Sequence, residues 1–124
     1  MKRISDKRRK REAAARPWRN ALKVRVGRCE HCLKPKAPEY LDVDEIARGS
    51  HRQMALEAEY AVLVVCRPCH AIVQPWSRAK RLALLYLARS TDFNLESFWK
   101  LTSRCFPSQE EVDREIANLI TPGA

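Results

Sequence analysis

The sequence of 124 residues has no long apolar run and no apolar segment behind its charged N-terminus. A transmembrane helix needs about 18 consecutive apolar residues, and a secretory signal needs a shorter apolar segment, so neither is expected. We therefore expect a single-domain, cytoplasmic protein without a membrane partner. Because disulfides are rare in that compartment, the five cysteines indicate metal binding.

Acidic residues are scarce at the N-terminus. The first 28 residues contain twelve Lys or Arg against only Asp6 and Glu12, whereas the other 96 contain twelve basic and thirteen acidic residues. Because like charges at this density repel one another, we expect residues 1–21 to be a flexible basic arm. Its expected partner is nucleic acid, since neutralised phosphates release counterions; a solubilising tail and a localisation signal are the alternatives. The expected contacts in the arm are Lys7, Arg8, Arg9, Lys10 and Arg11.

The apolar pattern of the middle of the chain predicts strands and short helices. Apolar residues alternate with basic ones over 22–26, which predicts a short strand. Residues 40–46 predict a second strand, and the β-branched run 61–65 predicts a buried third strand. Residues 51–59 have a helix-forming composition. A second helix is expected to carry residues 69–74, with Pro68 in its first turn. The expected fold class is therefore α+β.

The last third of the sequence predicts three helices. Residues 77–89 are rich in Leu and Ala, and apolar residues recur at helical spacing over 95–104. Ser108 and Glu111 form a capping-box pattern ahead of the third apolar stripe. We expect residues 76–124 to be a helical extension that covers the rest of the protein or binds a partner.

Four of the five cysteines form two C-x2-C pairs, and 33 residues lie between the two pairs. The pairs consist of Cys29, Cys32, Cys66 and Cys69. Two-residue spacing lets both thiolates of a pair bind one ion at about 2.3 Å, and four sulfur atoms complete the tetrahedron of structural zinc. Four ordinary buried thiols are the alternative, and His31 could replace one cysteine as a ligand. Cys105 is expected to pack on the apolar face of a helix.

A second motif lies between and beside these pairs. Val43-Asp44-Glu45-Ile46 follows the first pair, and His70 comes directly after the second pair. With this arrangement, residues 26–75 resemble the HNH endonuclease superfamily in its zinc-stapled form. More narrowly, the segment 45–52 is similar to a phage and bacterial subgroup, in which an Arg-Gly turn follows the motif.

The resemblance implies roles for individual residues. Asp44 and His70 would hold a catalytic divalent ion such as Mg²⁺, which stabilises the leaving oxygen as a P–O bond breaks. The general base would be Glu45, at a position where the family usually has histidine, or the nearby His51. Ala61 stands where the family usually has asparagine. Three arginines near the motif suit phosphate contacts as forked donors, namely Arg48, Arg52 and Arg67. Surface ion pairs with Asp42 or Glu57 are the alternative for them.

The resemblance implies a metal-dependent endonuclease that hydrolyses phosphodiester bonds in DNA, built on a ββα-metal unit over 22–75. Glu45 and Ala61 favour instead a non-catalytic nucleic-acid-binding module that keeps the HNH fold. The basic arm also fits a small zinc protein of a ribonucleoprotein or phage assembly. As plain structural residues, Asp44 and Glu45 would be solvated carboxylates at a strand end, and His70 would pack against the zinc site.

Overall fold

The computed structural model describes residues 6–47 and 58–121, with side chains from residue 9 onward. Its helices are α1 (Asp6–Val26), α2 (Arg67–Val73), α3 (Arg78–Ala88), α4 (Leu95–Thr102) and α5 (Gln109–Ile120). Its strands are β1 (Leu41–Glu45) and β2 (Val62–Cys66), and 3₁₀ turns over Pro38–Tyr40 and Glu59–Ala61 lead into them. These elements confirm the α+β class. None of the described helices has the length and apolar character of a membrane span.

The two strands form an antiparallel pair, in which Leu41 lies opposite Cys66 and Asp44 lies opposite Leu63. Both strands lie where the apolar pattern predicts them. Every residue of β2 is buried, which explains its continuous apolar sequence. Side chains alternate between the faces of a strand, so Asp42 and Asp44 of β1 share one face.

Helix α2 follows β2 without a linker and contacts both strands. Pro68 lies in its first turn, as the sequence predicts. A proline is tolerated there because the first N–H groups of a helix have no partner within the helix. Cys69 and His70 therefore lie at the start of α2, immediately beyond the end of β2.

The three predicted C-terminal helices are present as α3, α4 and α5. The hydroxyl of Ser108 accepts a hydrogen bond from the N–H of Glu111, whose carboxylate in turn accepts one from the backbone of Ser108, so the capping box is confirmed. The prediction for Cys105 is wrong. Helix α4 ends at Thr102 because Ser103 takes a left-handed conformation, and Cys105 is exposed beyond that end.

The N-terminal segment differs most from the sequence-based expectation. Residues 6–26 form one helix, so the predicted strand over 22–26 is wrong, and a helix replaces the described part of the expected flexible arm. The helix buries Ala15 and Leu22, with Trp18 packed beside them, which is helical rather than strand spacing. Val24, which the strand pattern paired with Leu22, is 65% exposed.

Candidate functional site

The four cysteines of the two C-x2-C pairs come together at one point. Their sulfur atoms all lie within 4.8 Å of one another, and the Sγ atoms of Cys32 and Cys66 are 4.0 Å apart. Four sulfur atoms bound to one ion at about 2.3 Å lie about 3.8 Å from one another, so the cluster has the dimensions of a metal site. His31 is outside this cluster, and its ring packs edge-on against Trp76.

Backbone pairing with β2 positions the first cysteine pair. The N–H of Glu30 donates to the carbonyl of Val64 at 2.8 Å. Cys66 is the last residue of β2, and Cys69 follows in the first turn of α2. The strand therefore carries one pair at its end and holds the loop of the other pair along its side.

The side chain of Glu30 strengthens this attachment. It is 1% exposed, and its Oε1 accepts a hydrogen bond from the Val64 N–H at 2.6 Å. Its Oε2 accepts from Nε of Arg89 at 2.6 Å, and Arg89 also donates to the carbonyl of Val62 at 2.6 Å. Separating the loop of Glu30 from β2 or from Arg89 would leave a buried charge without a partner, which is costly. The ion pair therefore stabilises the arrangement of these three parts. Sequence reasoning missed this pair, since a charged residue between two cysteines looks like a surface residue.

The thiols of the cluster have unequal pKa values. Burial raises the pKa of Cys29, but hydrogen bonds from backbone N–H groups outweigh this effect and lower the pKa to about 7. The donors are the N–H groups of Cys32, Cys66 and His31. Burial raises the pKa of Cys69, and hydrogen bonds with the other sulfur atoms raise it further. Because metals bind thiolates, an ion in the cluster displaces the protons that remain on such sulfurs.

A second cluster of titratable groups lies at the start of α2. Nε2 of His70 is 3.3 Å from Oδ1 of Asp44, and its Nδ1 is 3.3 Å from Oδ2 of Asp42. We call these three residues the Asp42–His70–Asp44 row. The structure therefore brings together Asp44 and His70, the two residues for which the family resemblance implies a divalent ion, and it adds Asp42. Asp42 could have been found from its position two residues before Asp44 on one strand face.

An arginine from the C-terminal helices completes this cluster. Arg81 of α3 is buried, and its Nη1 donates to Oδ2 of Asp44 at 3.2 Å and to the carbonyl of Glu45 at 3.1 Å. Asp44 is only 2% exposed, so it is not a solvated carboxylate. No local sequence pattern points to Arg81, because its role depends on how α3 packs against the sheet.

The row has the dimensions of a two-ligand cation site. Neighbouring ligands of an octahedral ion with bonds of about 2.1 Å lie about 3.0 Å apart, close to the 3.3 Å between His70 Nε2 and Asp44 Oδ1. If the ring hydrogen is on Nδ1, it donates to Asp42 and leaves the Nε2 lone pair for a cation. A histidine ligand held by a carboxylate in this way is common in metal sites.

A groove of about 550 Å³ opens between α1 and β1, next to the row. Asp42, Glu45 and His70 line its one side. Polar side chains of α1 line its other side, namely Glu12, Arg16, Arg19, Asn20 and Lys23. Nη2 of Arg19 bonds Oε1 of Glu45 at 2.6 Å across the groove. The predicted base Glu45 and the predicted cation ligand His70 therefore line the same groove.

The remaining predicted residues lie in different places. Arg67 is 60% exposed, and it donates to the carbonyl of Glu39 and lies 3.8 Å from Asp42. Ala61, at the position where the family usually has asparagine, is fully buried. The exposed residues of α1 include three predicted nucleic-acid contacts, Arg9, Lys10 and Arg11. The predicted residues outside the described side chains are Lys7, Arg8, Arg48, His51 and Arg52.

Comparison with known proteins gives no relative for this chain: no family model, no curated protein and no solved structure matches it. The chemistry of the site therefore rests on its own geometry. Two sites with different ligands lie at the two ends of the Cys66–His70 segment. One is the cluster of four sulfur atoms, and the other is the contact of the His70 imidazole with the carboxylates of Asp42 and Asp44 beside the groove.

Proposed function

We propose that the protein is an HNH-type endonuclease that uses a divalent ion, held by Asp44 and His70, to hydrolyse phosphodiester bonds in DNA. The observation that carries this proposal is the convergence of Asp44 Oδ1 and His70 Nε2 at 3.3 Å beside the groove. The partners lie 26 residues apart in sequence, so their meeting requires the pairing of β1 with β2 and the start of α2 at Arg67.

Zinc in the four-cysteine cluster has a structural role in this proposal. Four sulfur ligands fill all the positions of a tetrahedral zinc ion, so no position stays open for a substrate. The ion instead joins the loop of Cys29 and Cys32 to the end of β2 and the start of α2. It thereby fixes the segment that carries His70.

The row supplies the ligands of the catalytic ion. A divalent ion bound there polarises the phosphate and stabilises the charge on the leaving oxygen. With the ring hydrogen on Nδ1, His70 donates to Asp42 at 3.3 Å, and this bond orients the ring. Arg81 holds Asp44 in place through Oδ2, on the side of the carboxylate away from the Oδ1 that faces His70.

Glu45 is the general base that the described residues offer. It lines the same groove as His70, and a carboxylate there can accept a proton from the attacking water. Arg19 fixes the orientation of Glu45 through the 2.6 Å ion pair. His51, the other predicted base, lies outside the described residues.

Nicking of supercoiled plasmid by zinc-loaded protein in Mg²⁺, Mn²⁺ or Ni²⁺ tests this function. His70→Ala removes a cation ligand that is partly exposed, so we expect nicking to fall on the order of 10²-fold or more with zinc content unchanged. Asp44→Asn should have the same effect on nicking. The matched control is Asp113→Asn, an exposed carboxylate of α5, which should nick like the wild type. Wild-type protein that holds zinc but leaves plasmid intact in all three ions contradicts the proposal.

A second function, a non-catalytic nucleic-acid-binding module, has its own support. Both carboxylates of the motif already bond an arginine: Asp44 bonds Arg81, and Glu45 bonds Arg19. A guanidinium beside each carboxylate competes with a divalent ion for the same charge. This module would bind plasmid in a salt-dependent manner, and the substitutions at Asp44 and His70 would leave binding unchanged while no form of the protein nicks.

A further inference from the structure

The groove beside the row presents one continuous face of α1. The α1 residues that line it are spaced by four, three, one and three positions, which is one stripe of a helix. They are Glu12, Arg16, Arg19, Asn20 and Lys23. The neighbouring face of the helix, about a quarter of a turn away, buries Ala15 and Leu22. Because that packing fixes the helix, the stripe keeps its orientation toward the groove.

The cations of α1 differ in whether they already have an anionic partner. Arg19 bonds Glu45, and Arg25 bonds Asp92 at 2.7 Å. Within residues 9–47 and 58–121, no carboxylate lies within ion-pair distance of Arg16 or Lys23. The groove also carries the carboxylates of Glu12, Asp42 and Glu45, so the attraction of Arg16 and Lys23 for an anion is local to these two side chains.

The spacing of the two cations suits a nucleic-acid strand. Arg16 and Lys23 are seven residues apart, about 10 Å along a helix at about 1.5 Å per residue. Phosphates of one strand follow one another about every 3.4 Å along a duplex, so the two side chains can contact different phosphates of that strand. Asn20 lies between them with an amide that can also donate to a phosphate oxygen.

We propose that this groove binds the phosphodiester backbone of DNA, with α1 as its cationic wall and Arg16 and Lys23 as its phosphate contacts. The inference rests on the proposed function, since it places those phosphates opposite His70 and the row. Glu12 on the α1 wall, and Asp42 and Glu45 on the other wall, repel a phosphate. A divalent ion bound in the row offsets that repulsion, so DNA binding in the groove is stronger when the ion is present.

Fluorescence anisotropy of a short labelled DNA duplex tests the groove, with the full zinc-loaded chain in Ca²⁺ across a salt series. The test protein is the double variant Arg16→Gln/Lys23→Gln. The matched control is Lys34→Gln/Lys36→Gln, which removes two exposed cations outside the groove. We expect the groove variant to bind roughly tenfold more weakly, with the slope of log K against log salt shallower by about two. The control should stay within about twofold of the wild type.

Each result has a distinct meaning. Equal weakening of the two double variants shows that only overall charge matters, and it overturns the groove assignment. Wild-type affinity in the groove variant overturns it as well, whether or not the protein nicks plasmid. If the groove variant alone loses affinity and the wild type never nicks, the groove assignment stands and the endonuclease proposal fails.

Discussion

The imidazole of His70 lies between two carboxylates, and an arginine lies beside each carboxylate. Arg67 is mostly exposed and 3.8 Å from Asp42, so solvent screens this pair and its contribution is small. Arg81 is buried against Asp44 at 3.2 Å, where a charge without a partner is costly. Asp44 is therefore rigid, whereas Asp42 can adjust its position as a ligand binds to His70.

The role of Asp42 in orienting the His70 ring can be tested by substitution. Asp42→Ala removes the acceptor for His70 Nδ1, so the ring is no longer oriented, and we expect Mn²⁺ affinity of the row to fall about 10- to 100-fold. Asp42→Asn keeps an acceptor oxygen and should retain most of that affinity. Calorimetry measures the affinity, and ¹⁵N shifts of the His70 ring report which nitrogen carries hydrogen. Identical affinity and ring shifts in Asp42→Ala and the wild type would show that Asp42 does not position His70.

Among the elements, α1 connects the basic N-terminus to the site. Its apolar side is narrow, consisting mainly of Ala15, Trp18 and Leu22. Ion pairs from Arg19 to Glu45 and from Arg25 to Asp92 tie the helix to β1 and to the turn after α3. The helix thus loses part of its charge repulsion on docking, which explains why a segment with so many cations is ordered.

Docking of α1 can be measured through its apolar contacts. Leu22 is 3% exposed, so Leu22→Ala should lower the free energy of unfolding by about 2–5 kcal/mol. Val24→Ala is the matched control, because Val24 is 65% exposed and surface changes cost about 0.5 kcal/mol or less. Urea unfolding of the zinc-loaded protein gives both values. A strand over 22–26 would instead place both side chains on one face, and equal costs would contradict the helix.

Most helices and strands can be predicted from the sequence, but the elements that pack against each of them cannot. Strands β1 and β2 and helices α2 to α5 follow from apolar periodicity, Pro68 and the Ser108 cap, which are local signals. The period-two alternation over 22–26 is misleading, because the residues that decide the helix, Ala15 and Trp18, lie further upstream among charges. Local patterns report which face of an element is apolar, and they do not report what packs on that face.

The same limit applies to the candidate site. The C-x2-C spacing predicts the four-cysteine cluster because a two-residue spacing lets both thiolates of a pair bind the same ion. The contacts of Glu30 with Arg89 and of Asp44 with Arg81 join residues 59 and 37 positions apart. Such pairs depend on how α3 packs on the sheet, and no short-range pattern encodes that packing.

At the scale of the whole molecule, the four-cysteine cluster connects segments that are otherwise joined by a long stretch of chain. It lies at the junction of the first loop, β2 and α2, and the row lies one residue beyond Cys69. Metal binding to such sites contributes on the order of 10 kcal/mol, comparable to the entire stability of a small domain. A metal ion bound by the four cysteines would therefore hold the first loop against the end of β2 and the start of α2, the segment that carries His70.

Zinc K-edge X-ray absorption of the purified protein tests this claim most directly. We predict one zinc ion per chain, surrounded by four sulfur atoms at about 2.3 Å. A protein that folds without bound metal would contradict it. So would a zinc shell that contains nitrogen or oxygen at about 2.0–2.2 Å, because the ion would then not join the two cysteine pairs.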